Sequence, residues 1–109
     1  MRRYVYNVDK KSADATTTSN EVVTFDDHDR LLAVAWVGEH GKNYEVAIKT
    51  HDGRTPIVDQ VSVDYYKMGA GREEMILNQN IQNNQIRLET SFETGADVKG
   101  QFIFTVEKN

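Results

Sequence analysis

The residues best suited to chemistry in this chain of 109 amino acids sit in short polar clusters, of which Asp26-Asp27-His28-Asp29 comes first. Three carboxylates in one turn offer the oxygen ligands that a hard cation such as Ca2+ requires, so Asp26, Asp27 and Asp29 form the candidate metal set. Their spacing departs from the Asp-x-Asp-x-Asp-Gly calcium loop, and aspartate serves equally well to cap a turn. Glu73-Glu74 brings two more carboxylates together, but adjacent strand residues point to opposite faces and do not share a substrate as acid and base. Gly69-Ala70-Gly71 lacks the third glycine and the long following helix of a nucleotide-binding fingerprint. The three histidines, His28, His40 and His51, fall in turns without a nucleophile beside them, and no Gly-x-Ser-x-Gly elbow occurs. His40 precedes and His51 follows one short strand, which places them about 20 Å apart and argues against a shared zinc ion. Neither an enzyme nor a bound cofactor is expected.

Binding is the better prospect. The available rings are Trp36, Tyr44, Tyr65 and Tyr66, and strand alternation that turns Tyr65 inward turns Tyr66 out. Residues 78–85 are all Asn or Gln except Ile81. Tyr66 with Asn80, Gln82 and Asn83 is therefore the candidate ligand surface, of a chemistry suited to a glycan. A second candidate is electrostatic. Arg2, Arg3, Lys10 and Lys11 against Asp9 give residues 1–11 a charge of +3, and because the whole chain carries −4, residues 12–109 carry −7. The four cations are the expected contact with a protein partner or with copies of the chain itself. An acidic balance, with pI near 5.3, argues against general nucleic-acid affinity.

Composition limits the remaining choices. The chain has no cysteine, so disulfides and thiolate sites are excluded. The N-terminus has no long apolar signal-peptide core and no run approaches a transmembrane helix, so the chain as given reads as soluble, with no membrane partner expected.

These side chains must be positioned by strands. Leu31-Leu32-Ala33-Val34-Ala35-Trp36-Val37 is apolar at both parities, the mark of a strand covered on both sides, and acidic and glycine-bearing turns flank it. Tyr4, Tyr6 and Val8 alternate with polar or exposed neighbours, as do Tyr44, Val46 and Ile48, then Ile86, Leu88, Thr90 and Phe92, then Phe102, Phe104 and Val106. Asp52-Gly53 is a tight-hairpin signal between the fourth strand and a fifth that starts at Pro56 and carries on through Val61, Val63 and Tyr65. Glu21–Phe25 and Glu73–Leu77 supply two shorter strands. Lys10–Asn20, too polar to bury, reads as an extended connection or surface arm. About eight short strands without a convincing helix predict an all-β, two-layer antiparallel β-sandwich of Greek-key or jelly-roll connectivity. Residues 1–20 form its basic, polar N-terminal strand and arm and residues 21–109 its body, within one domain. The expected function is that of a non-enzymatic structural or interaction module, self-associating or docking onto a larger assembly through the N-terminal arm and strand edges. Virion-type decoration or cement proteins share such an architecture. A lectin-like, carbohydrate-binding sandwich is the alternative.

Overall fold

Alternating side chains make amphipathic strands, and amphipathic strands are stable only when their apolar faces meet. The computed structural model describes residues 2–11, 13–38, 43–66, 75–95 and 97–108, and among these the alternation is realised in eight strands. They are β1 (Arg2–Lys10), β2 (Thr17–Thr24), β3 (Arg30–Gly38), β4 (Tyr44–Thr50), β5 (Pro56–Ser62), β6 (Met75–Asn80), β7 (Gln85–Phe92) and β8 (Val98–Glu107). A first sheet has the order β1-β8-β3-β6 and a second the order β2-β7-β4-β5, with every pairing antiparallel. The expected two-layer sandwich is thus present, in the jelly-roll arrangement. Four nested pairs, β1·β8, β2·β7, β3·β6 and β4·β5, alternate between the sheets, as if one long hairpin had been rolled up.

The two inner faces bury a core built largely from rings. Tyr4 meets Phe25 at 5.2 Å, Phe25 meets Phe104 at 5.6 Å, Phe104 meets Phe102 at 6.0 Å, and Phe102 meets both Trp36 (5.0 Å) and Tyr66 (5.4 Å). Mostly tilted or edge-on, these pairs add about 0.5–1.5 kcal/mol each beyond the area they bury. Trp36 is fully buried among them, so the only tryptophan is a packing residue.

Close packing beside Trp36 requires two facing glycines. Gly38 pairs with Gly100 across β3 and β8, and a Cβ on Gly100 would lie 2.6 Å from the Val37 carbonyl oxygen and 2.7 Å from Trp36. Only glycine lets the two backbones approach so closely at the end of the indole.

Three of the differences from the sequence expectation have a plain physical reason. β2 starts at Thr17 rather than Glu21, so Thr17–Asn20, expected in a connecting arm, pairs with β7. As an edge strand it exposes polar residues, which hides it from a hydrophobicity-based reading. The fifth strand stops at Ser62, where the Ser62 hydroxyl accepts a 3.3 Å hydrogen bond from the Asp64 N–H and the chain enters a 3-10 turn, Val63–Tyr66. Ala47, expected on the watery face of β4, is 1% exposed because it is small and lies on an inner strand between taller neighbours.

Candidate functional site

The 3-10 turn overturns one expected site. Leaving the two-residue period exchanges the tyrosines: Tyr65 is 55% exposed and Tyr66 1%. Tyr66 packs on Phe102 and donates a 3.1 Å hydrogen bond to the Val46 carbonyl, where the β4–β5 register shifts. Burial raises its phenol well above the ordinary range. Tyr66 is therefore a core residue and supplies no platform to Asn80, Gln82 and Asn83. Asn80 and Gln82 instead line a crevice of about 170 Å3 with Thr50, His51, Asp52 and Thr55. The amide bias has a backbone reason: Asn78, Asn83 and Asn84 all hold positive φ angles, 52°, 57° and 54°, which asparagine tolerates better than most residues.

The acidic turn Asp26-Asp27-His28-Asp29 carries the expected metal set. Among the described residues no three His, Asp or Glu side chains converge closely enough to hold a metal ion. Backbone bonding organises the turn. His28 donates from its backbone N–H to Phe25 at 2.9 Å and from its Nδ1 to the Asp26 carbonyl, while Ile81 N–H donates to the Asp29 carbonyl at 2.8 Å. Asp27 takes φ = 56°, a left-handed conformation that aspartate also accepts. Its role here is the turn itself. Glu73-Glu74, Gly69-Ala70-Gly71 and His40 lie outside the described residues.

The basic residues expected at an interface sit on and beside β1. Arg2 to Lys10 pair without a register shift to β8, so this segment is an edge strand of the first sheet. Arg2 stacks over the Tyr4 ring at 4.7 Å, and Lys11 bonds Asp9 at 3.2 Å, a contact that raises the lysine's pKa. The other edges differ in regularity. β5 carries Pro56 and two register shifts against β4, and β6 is broken by the positive φ of Asn78; β2, like β1, is regular. Irregular edges resist further pairing, whereas regular ones offer an open row of backbone groups. The regular edges β1 and β2 flank a crevice of about 210 Å3, whose lining includes Tyr6, Lys10, Ser19, Glu21 and Tyr44. Burial, with Glu21 nearby, raises Tyr6 and raises Tyr44 to about 12 against a hydrogen bond from Thr90. Both phenols stay protonated at neutral pH, so neither serves as a base.

The outward faces of the two sheets are chemically unlike. On the second sheet the outward residues include Thr18, Asn20, Glu45, Lys49, Arg87 and Glu89; Lys49 bonds Glu89 at 2.7 Å and Gln60 bonds Glu45 at 3.1 Å. A polar groove of about 340 Å3 runs over this face. On the first sheet, register assembles rows across strands: Arg3, Thr105, Ala33 and Ile76; then Val5, Ile103 and Ala35; then Asn7, Gln101 and Val37. Val5 is 54% exposed, Val37 42% and Ile76 72%, while Ala33 and Ala35 form a low floor between taller neighbours. Charged residues ring this apolar centre, with Asp9 and Lys99 at one end and Arg30 and Glu107 at the other. Apart from Arg3, none of these residues is expected at a binding surface from the sequence. The available signal was the apolar residue on the wrong parity of an alternating strand, as Val5 is between Tyr4 and Tyr6 and Ile103 between Phe102 and Phe104.

No protein-family model, curated protein or solved structure matches the chain. Its surface is accordingly the sole source of a functional argument. Among the described residues no helix is long and apolar enough to cross a membrane.

Proposed function

We propose that this protein is a non-enzymatic interaction module that docks, onto copies of itself or onto a larger protein assembly, through the outward face of its first sheet and the adjoining β1 edge. The observation that carries the reading is the contrast between the two outward faces. β3 is apolar on both sides, and the core takes only one of them, Leu31, Val34 and Trp36. The other side, continued by Val5, Ile103 and Ile76, has an apolar centre and a charged rim, the anatomy of a protein interface. β1 continues that face to an open backbone edge, and Arg2, Arg3, Lys10 and Lys11 there favour acidic groups on a partner.

The test is to replace Val5 and Ile76 by threonine, which keeps the β-branched shape and removes apolar surface. If the face exists for docking, Val5→Thr and Ile76→Thr leave thermal stability within about 0.5 kcal/mol of the parent chain. A loss above about 1 kcal/mol would mean that the chain's own residues need this surface, and the reading fails.

A further inference from the structure

Which partner fits the face follows from the arrangement of its side chains. Outward along β8 lie Lys99, Gln101, Ile103 and Glu107; Thr105 shares their parity but is only 3% exposed. This row is complementary to its own reverse: a cation at one end, an isoleucine at the centre and a carboxylate at the other end. Lys99 and Glu107 are both exposed, and among the described residues neither takes part in an ion pair.

From this, and resting on the docking reading above, we infer that the first sheet's outward face binds a second copy of the chain, related by a two-fold axis that runs across the strands over Ile103. Rotation about that axis reverses the strand direction and leaves each strand over its own counterpart. Ile103 then meets Ile103 of the second copy, and the same row brings Val5 to Val5, with the buried Ala35 as the floor beside Ile103. Glu107 comes opposite Lys99, a contact made twice. A two-fold interface must be self-complementary in this sense, because every residue i that meets j also has j meeting i. The second sheet offers no such row: along β7 its outward residues run Gln85, Arg87, Glu89 and Ser91 with no apolar centre, and Glu89 is already bonded to Lys49.

Size supports the same occupant. Three strands about 4.8 Å apart, over the length from Lys99 to Glu107 at about 3.4 Å per residue, with the shorter β6 beside one half of β3, give a face of roughly 500 Å2. Two copies together bury about 1,000 Å2, near the lower limit of a specific interface, so the dimer is a weak and concentration-dependent one.

Sedimentation of the full chain from about 1 µM to 1 mM tests this with a charge exchange. Lys99→Glu places glutamate against Glu107, and Glu107→Lys places lysine against Lys99; each weakens the dimer about tenfold because the symmetry repeats the clash. The double variant Lys99→Glu/Glu107→Lys restores the pairs in exchanged positions and returns association to within about threefold of the parent, whereas a different protein partner gains nothing from the exchange. Val5→Lys abolishes the dimer. A chain that stays monomeric throughout, or a double variant no better than either single one, overturns the inference. The docking reading is judged separately, by the stability of the threonine variants.

Discussion

Tyr65 and Tyr66 offer the sharpest check on how the sandwich is built, because strand alternation and the 3-10 turn assign them opposite roles. Tyr66→Ala removes a fully buried ring from its edge-on contact with Phe102 and opens a cavity in the core. The cost is about 3–5 kcal/mol, or about 12–20 °C in Tm for a domain of this size. Tyr66→Phe keeps the ring and deletes the hydrogen bond to the Val46 carbonyl. That carbonyl lies at a register shift, where the sheet ladder has no ready substitute, so the cost is about 1–2 kcal/mol. Tyr65→Ala, at an exposed ring, changes stability by no more than about 0.5 kcal/mol. Urea unfolding followed by tryptophan fluorescence is the appropriate assay, since Trp36 packs on the same Phe102 that receives Tyr66. Should Tyr65→Ala prove more costly than Tyr66→Ala, the chain continues as a strand through this region and the exchange of the tyrosines is wrong.

Two further outcomes are expected. Gly100→Ala forces a methyl group against the Val37 carbonyl and the indole of Trp36 and destabilises the fold by about 1–3 kcal/mol, measured by thermal melting; a neutral result would show that β3 and β8 are less closely apposed. Tyr44 has a pKa of about 12 in the fold against 10.0 when unperturbed. The folded state therefore holds that proton more tightly, so the stabilisation is complete below about pH 10 and is lost as pH rises from 10 toward 12. Absorbance at 295 nm and circular dichroism, followed over that range, should show Tyr44→Phe flattening the alkaline fall in stability; an unchanged slope would exclude Tyr44 as its source.

Much of the fold was legible because most strands obey a simple rule. Tyr44, Val46 and Ile48 on β4, and Phe102, Phe104 and Val106 on β8, face the core as their two-residue period demands. The rule fails where another interaction takes over. Ser62 caps a turn and ends the period, so Tyr66 was assigned to the surface, and the polar edge strand from Thr17 passes for a connection. The candidate interface was harder to read for a different reason. Val5, Ala35 and Ile103 are separated by as many as 98 positions in sequence, and they become neighbours only through the β1–β8 and β8–β3 registers. Periodicity describes one strand at a time; a surface made of rows across strands depends on strand order and register, which no local pattern contains.

The nesting of the four strand pairs also imposes an order in time. The β4·β5 pair closes across a five-residue connection, residues 51–55, whereas β1·β8 joins Arg2 to Val106 at opposite ends of the chain. Loop-closure entropy favours the inner pair by about 2–3 kcal/mol before any zipping has shortened the outer loop. Loop entropy thus favours folding from the hairpin outward, with β1·β8 the last pair to close. Val5 and Ile103 become neighbours only at that step. On the proposed docking reading, completion of the fold gates recognition: a chain that is still closing has no such face to present.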